Sequence, residues 1–480
     1  MTQATLIFNA HLLDETMDTA GALLVEDDKI RAVFQGYFTS PDTASTLAHS
    51  VLAEDGCEQN CKLELYDAHG LTVTPAFIDM HVHMRYPGQT QKEDLDSGLH
   101  AAASGGYGTV VAMPNTNPVV SSYDMALQIE KEAAAIGLTH LYQTVSITKD
   151  FDGQTTNHLD DIDKKFIPVI SEDGRDVLSS ATMLEGMKKA AEKGIIVSCH
   201  CEDNTLAAMA KPYRQNALKI MKAVGLSAWG TNEEGFNPDE VDKVAIEQAD
   251  QNLTKANNLL ALAEDLATIR NILLAKEAGC HIHLAHVSTE NAANAIGAAK
   301  MELQYYDEGK PFGISAEATP HHIALAGTEE PTIRALVNPP LRSEHDRKAI
   351  IEALRNGIID VISTDHAPHT LDDKAEGSPG FTGLETAYAV CNTILVCQNK
   401  FEPKKLSQLM SANPARFLGL EKGLLKTGYI ADLTLVDPDE EWIVDSKLFC
   451  SKGKATPFEG MHLTGKVHGL FIDGKKILER

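Results

Sequence analysis

No run of apolar residues in this chain approaches the length of a membrane-spanning helix, so a protein threaded through a bilayer by helices is not expected. Cysteine is sparse: eight are scattered through 480 residues, without the dense framework of a small secreted protein. Cys57 and Cys61 have zinc-like spacing, but no second pair or nearby histidine completes a site, and they read as unpaired surface thiols. Positive charge is also short, with 42 Lys and Arg against 68 Asp and Glu, a net charge of −26 and a pI near 5.1. A field of that sign repels nucleic acid and anionic membrane, so neither is an expected partner. An anionic substrate would need a locally basic pocket. The opening MTQATLIFNAHLL lacks a basic start followed by a continuous apolar stretch, so no signal peptide is expected and the compartment reads as cytoplasmic. Internal repeats and low-complexity tracts are absent as well.

What is present is an ordinary globular balance, 43% hydrophobic and 23% charged, long enough for one large domain and a smaller one. Between about residues 73 and 370 lie eight short apolar runs, each ending in a polar cluster: VTPAFIDMHVHMR, GTVVAMPNT, HLYQTVSIT, FIPVISEDG, IIVSCHCED, CHIHLAHVST, FGISAEATPHH and IIDVISTDHAPH. Continuous apolar strands alternating with helices point to a parallel sheet buried on both faces. Eight such units predict an α/β fold, a closed (β/α)₈ TIM-like barrel over residues 73–427 with its chemistry at the C-terminal strand ends.

The two ends read differently. Residues 1–72 and 428–480 contain short strand-like runs separated by turn signals, which predicts a small β-sandwich built from both termini. Gln35 to Lys62 reads as a loop insertion in it. A second insertion, at about 204–260, reads as a helical appendage outside the catalytic cavity, suited to packing or assembly. It includes LAAMAKPYRQNALKIMKAVG and a Gly-rich stretch around Trp229. Asn257-Asn258 is the expected break between this arm and the following barrel helix, because asparagine favours caps and turns.

The strand ends carry the chemistry. His81 and His83 flank Val82, and alternate residues on a strand share a face, so both imidazoles can reach one ion. His-x-His alone is a weak signal, equally consistent with two unrelated polar residues. Asp173, His200, His286 and Asp365, closing the fourth, fifth, sixth and eighth runs, strengthen it. Imidazole with carboxylate favours a zinc-like ion, and six donors exceed the need of one tetrahedral site. Cys199 and Cys201 should face the barrel–helix layer, and His321 and His322 read as structural groups.

FIDMHVHMRYPG (77–88), KED (92–94) and AMPNTNP (112–118) closely resemble the dihydroorotase family, a branch of the amidohydrolases. ISEDG, HCED, HVST, TPHH, NPPLR, TDHAPH, GLET, NPARFLGL, ADLTLVDPD and TPFEG follow in the family's order. The resemblance implies that His81, His83 and Asp365 hold one zinc ion and His200 and His286 a second, with Asp173 bridging the two. Many relatives bridge with a carbamylated lysine instead, but Lys164 and Lys165 lie at the wrong end of their strand. Asp365 would be the catalytic acid–base. Arg85 and Asn115, joined by His369, would bind a substrate carboxylate, while Asn338 and the backbone around Pro379 and Gly380 would hold the ring.

Three departures stand out: Glu172 in place of the first aspartate of a doublet, Ala76 in place of a glycine, and Pro379 in place of a phenylalanine. None removes an implied ligand. The implied reaction is reversible hydrolysis of L-dihydroorotate to N-carbamoyl-L-aspartate. The alternatives are a hydantoinase or allantoinase, or a non-catalytic scaffold for aspartate transcarbamoylase. A homodimer, with aspartate transcarbamoylase as a partner, is the expected assembly.

Overall fold

The computed structural model describes residues 2–54, 61–224, 243–303, 312–327 and 336–480. At the N-terminal end run β1 (Thr2–Leu13), β2 (Asp18–Glu26), β3 (Lys29–Gln35), α1 (Pro41–Glu54), β4 (Cys61–Asp67) and β5 (Thr72–Pro75). Successive residues of β1 point to opposite faces. Ile7, Ala10 and Leu12 pack on one side with Leu23, Val73, Leu433 and Phe471, whereas Ala4, Leu6 and Phe8 pack on the other with Ala44, Ala48 and Leu52. The last three are spaced four apart on α1, one stripe of a helix. That burial corrects the expectation of a loop between Gln35 and Lys62: a helix covers what would be the open face of the sheet. Cys57 lies outside the described residues, and Cys61 begins β4.

The barrel follows as β6 (Phe77–Val82), α2 (Leu95–Ser104), β7 (Tyr107–Ala112), α3 (Tyr123–Ile136), β8 (His140–Gln143), β9 (Val169–Ser171), α4 (Ser180–Lys193), β10 (Ile196–Cys199), α5 (Asn204–Ala223), α6 (Lys243–Ala278), β11 (His281–Leu284), α7 (Glu290–Leu303), β12 (Gly313–Ala318), α8 (Pro320–Ala324), α9 (Glu344–Arg355) and β13 (Val361–Ile362). All eight expected strands form, and each is parallel to its bonded neighbour. Single bridges at Val145–Ile170 and Val82–His366 join the two arcs into a ring. The fold is a TIM-like barrel with a β domain. Its strands are short and five of the eight, β6, β7, β9, β10 and β13, are buried from end to end, which is why they read as continuous apolar runs.

The helices bury one stripe each. In α4, Met183, Gly186, Met187 and Ala190 face inward; Ser179 caps the start by accepting from Thr182 N, and Gly194 ends the helix at φ 67°. Gly186 allows the closest approach, since a Cβ there would sit 2.7 Å from the Ile147 side chain.

β14 (Leu433–Ile443), β15 (His462–Ile472) and β16 (Lys475–Glu479) return to the first sheet, whose order is β16-β15-β14-β5-β1-β2-β3 with β4 beside β1. Thr72–Pro75 therefore belongs to this sheet: it pairs with β1 and β14. The boundary expected at residue 73 moves to Ala76. Among the described residues no helix is long and apolar enough to cross a membrane.

The expected break at Asn257-Asn258 is absent. Helix α6 runs unbroken for 36 residues, about 54 Å at 1.5 Å per residue. Its first half packs Ala249, Leu253, Ala256 and Leu260 against Ala210, Ala217 and Met221 of α5, and its second half packs Ala267, Ile272 and Ala275 on the barrel. Packing on both sides of the asparagine pair outweighs its local preference for turns. Trp229 lies outside the described residues, and Tyr213 is partly exposed beneath the Lys255 ammonium, 5.8 Å from its ring centre.

Because Asn258 is exposed in mid-helix rather than capping a break, Asn258→Ala should stabilise the protein by about 0.5 kcal/mol. Loss of a true cap would instead cost about 1 kcal/mol, so the direction of the thermal-midpoint shift decides between the two.

Candidate metal centre and substrate cavity

Asp79, His81, His83 and Arg85 occupy alternate positions from β6 into its loop, so all four share the inward face. Asp79 accepts from His81 N at 3.0 Å and Thr364 N at 3.1 Å, tying the first strand to the eighth just below the mouth. Arg85, His286 and Asp365 then leave their strands with φ of 55°, 35° and 49°. Non-glycine residues are uncommon in that left-handed region and cost of order 1–2 kcal/mol each there. Three such residues around one cavity indicate a backbone bent to aim side chains.

The six candidate ligands converge. His81 Nε2 lies 3.3 Å from Asp173 Oδ1 and 3.6 Å from Asp365 Oδ1. His83 Nε2 is 3.1 Å from Asp365 Oδ1 and 3.5 Å from Asp173 Oδ2. His200 Nδ1 is 3.4 Å from Asp173 Oδ1 and 2.8 Å from His286 Nε2. Two overlapping groups have a metal site's spacing: His81 with His83 and Asp365, and His81 with Asp173 and His286.

The surrounding hydrogen bonds decide which nitrogens face inward. His81 Nδ1 donates to Glu317 Oε1 at 2.8 Å, and His83 Nδ1 donates to Asn115 Oδ1 at 2.9 Å. Each ring therefore turns its Nε2 to the centre, the atom through which a metal would be held. His81 Nε2 and Asp173 Oδ1 are buried without a hydrogen-bond partner. Buried polar atoms are seldom left so, and a divalent cation is the group that would satisfy both. The donor set fits.

Electrostatics follow the same geometry. Burial opposes charge on His81, yet the Asp173 and Glu317 carboxylates hold it well above the usual histidine range. Burial would raise Asp173 and Asp365, but neighbouring imidazoles, His81 foremost, hold both below the usual carboxylate range. His286 is pushed down to about 3 by burial and by His200 beside it.

A cavity of about 220 Å³ opens beside the cluster. It brings together Arg85, Asn115, Asn338, His369, Pro379 and Gly380, along with five of the six candidate ligands; His81 lies deeper. Arg85 is 9% exposed, donates Nε–H to Pro368 O at 3.1 Å, and places Nη2 3.1 Å from His369 Nε2. His369 donates Nε2–H to Pro379 O at 2.8 Å, and its Nδ1 accepts from Lys92 Nζ at 3.2 Å. Burial, Arg85 and Lys92 drive His369 down to about 2, so it is neutral. Arg85 and Lys92 thus make one basic corner in an acidic protein. Asn115 also donates Nδ2–H to Asp173 Oδ2 at 3.0 Å, leaving one amide hydrogen for a ligand.

Pro379 and Gly380 line the cavity, and their backbone groups already carry hydrogen bonds within the protein. Gly380 N–H is spent on Leu336 O at 2.9 Å, Gly380 O accepts from Lys374 Nζ at 2.6 Å, and Pro379 O accepts from His369. The Gly380 N–H is thus engaged within the protein, while the turn itself forms part of the cavity wall. A Cβ on Gly380 would sit 2.7 Å from Ala367 Cβ, which explains the glycine.

Glu172 faces Thr148, accepting from its backbone N at 2.8 Å and from its hydroxyl, away from the ligand cluster. Cys199 and Cys201 are buried among core residues. His321 packs edge-on against Phe381, and His322 accepts or donates between Thr319 and Pro339 O. Glu317 is the most consequential residue the motif reading missed: it also accepts from His283 Nε2 at 2.9 Å and from His286 N at 3.1 Å. A carboxylate inside the apolar run GISAEA was its visible signal.

The amidohydrolase family model matches residues 72–477. A dihydroorotase of Clostridium botulinum (strain Eklund 17B / Type B) is 37% identical over 98% of this chain and 98% of its own. That of Aquifex aeolicus (strain VF5) is 33% identical over 93% of this chain and 98% of its own. Among solved structures, an L-hydantoinase (dihydropyrimidinase) from Arthrobacter aurescens superposes with a TM-score of 0.75 at 24% identity, covering 99% of this chain and 96% of the other. At that identity the likeness speaks for the fold alone.

Glu317→Gln should weaken divalent-metal binding by about 10–100-fold, the usual effect of removing a carboxylate that orients a ligating histidine. Metal retained against a competing chelator reads it; unchanged retention would remove Glu317 from the site.

Proposed function

Since the chain belongs to the amidohydrolase family, and within it to the dihydroorotases, we propose that it interconverts L-dihydroorotate and N-carbamoyl-L-aspartate, at a centre where Asp173 would help to hold two zinc ions. One observation supports this substrate above others: the cavity joins a His/Asp cluster for hydrolysis to a buried basic corner at Arg85. Neutral hydantoins would leave that guanidinium desolvated and unpaired, a costly arrangement. A planar guanidinium pairs bidentately with a carboxylate, which dihydroorotate carries.

His81, His83 and Asp365 would hold one ion, and His200 with His286 the other. Zinc bound there supplies an activated water at neutral pH and Lewis acidity toward the amide carbonyl. Arg85 anchors the substrate carboxylate, and the remaining Asn115 amide hydrogen can add a second donor. Pro368 O, accepting from Arg85 Nε–H, holds the guanidinium at the cavity wall beside neutral His369. Asp365 stays a carboxylate because imidazoles surround it. It accepts the proton of the attacking water, and as the ring C–N bond breaks it delivers that proton to the departing nitrogen. In ring closure it works in reverse.

Asp365→Asn should retain the fold and lose about 10²–10⁴-fold in turnover, the usual contribution of a general acid–base, with lost metal affinity adding to it. Near wild-type turnover would take Asp365 out of the mechanism.

Dihydroorotate, hydantoin and allantoin assayed side by side on metal-loaded enzyme test the substrate directly, with dihydroorotate expected to dominate. Arg85→Met should cost dihydroorotate roughly 1.5–3 kcal/mol of transition-state stabilisation and spare the neutral rings. Equal losses on all three would show that Arg85 is no carboxylate clamp.

A further inference from the structure

From helix α5, Arg214 reaches the wall of the substrate cavity. Arg214, in the middle of the helix, donates Nη1–H to Asn338 Oδ1 and Nη2–H to Val337 O, the latter at 2.6 Å. Val337 and Asn338 both line the cavity. The same strap is held from its other side by Lys374, fully buried, whose Nζ donates to Leu336 O at 3.2 Å, Ser378 O at 2.6 Å and Gly380 O at 2.6 Å. One side chain from α5 and one from the segment after β13 therefore donate to neighbouring carbonyls of the cavity wall.

A carboxamide has two unlike ends, and Arg214 distinguishes them. Guanidinium has five donors and no acceptor, so it can face only the oxygen end of Asn338. The amide nitrogen, with two N–H donors, is then the end left for the cavity. Free rotation of the side chain would otherwise present oxygen or nitrogen alike to a ligand.

We propose that Arg214 is a positioning residue that fixes the Asn338 carboxamide with its nitrogen toward the substrate, so that this wall donates hydrogen bonds to an oxygen acceptor on the bound ring. The α5 arm is then part of the substrate-recognition machinery rather than an appendage, which reverses the role expected for the segment at about 204–260. This inference rests on the cyclic-amide reading above, because such rings offer carbonyl oxygens as acceptors.

Burial draws the Arg214 guanidinium down to about 10, so it remains charged at neutral pH. A charged donor makes the stronger bond to Asn338. Lysine at 214 would keep a charged donor without the fork that also holds Val337 O.

The test is a double-mutant cycle on metal-loaded full-length enzyme, with Arg214→Met, Asn338→Ala and the pair, plus Arg214→Lys as the conservative variant. Thermal midpoints are measured alongside. The substrate is whichever of dihydroorotate, hydantoin and allantoin wild type hydrolyses, so a wrong substrate assignment shows in wild type and not in the cycle. If Arg214 acts through Asn338, each single variant raises KM about tenfold with kcat changed less than about twofold. The double variant is then no worse than either single one, and Arg214→Lys recovers most of the loss. Additive effects of the two substitutions, or a fall in kcat with KM unchanged, would overturn the proposal. Should Arg214→Met not fold, Arg214→Lys decides: a KM equal to that of Asn338→Ala would show that the charged donor alone does not orient the amide, and would also overturn it.

Discussion

Two carboxylates and four imidazoles share a barrel mouth in which each is only 1% to 7% exposed. Removing an ion from water costs several kcal/mol even after relaxation, so none of these groups could stand there alone. Each carboxylate lies within 4 Å of at least two imidazoles, and a further carboxylate, Glu317, backs His81 and His283 from below. This mutual compensation dictates much of what surrounds it. The strands must deliver their side chains at one height, which the parallel register of β9 through β12 provides. The loops must bend sharply at several of these positions, which the left-handed Arg85, His286 and Asp365 provide.

The same logic extends outward. Asp176 is held by Asn271 at 2.7 Å and by Arg270 at 2.9 Å, both on α6. Arg342 pairs with Glu264 of α6 at 3.0 Å and donates to Asn257 O and Leu260 O on the same helix. Helix α6 is thus bonded along its length to the loops that carry the cavity wall. Breaking one member of such a buried network leaves an uncompensated charge, which is why its members act together rather than as separate contacts.

Much of the centre was legible because strand chemistry is periodic. A buried parallel strand must be apolar, so polar residues at its C-terminal end stand out, and alternate spacing indicates which of them share a face. That reasoning reached all six residues of the cluster and Arg85, whereas Asn115, Asn338, His369, Pro379 and Gly380 came from the resemblance to the dihydroorotases. It failed where tertiary packing overrules local preference. Ala44, Ala48 and Leu52 form a helix only because a sheet face needs cover, and Asn257-Asn258 stays helical because both flanks are packed. Glu317 was passed over because it lies among apolar neighbours, and Arg214 because its target is more than a hundred residues away in sequence.

The order of the terminal sheet has a consequence for synthesis. β14 lies between β5 and β15, so β5 has a bare edge of unpaired amides and carbonyls until residue 433 onward has been made. The whole barrel lies between the two partners in sequence. A nascent chain must therefore carry an open strand edge through the synthesis of more than 350 residues, and such edges readily pair with other chains. Adjacent burial by α1 covers the face of that sheet but leaves this edge exposed, so premature termination within the barrel would release a protein whose first domain is a template for aggregation.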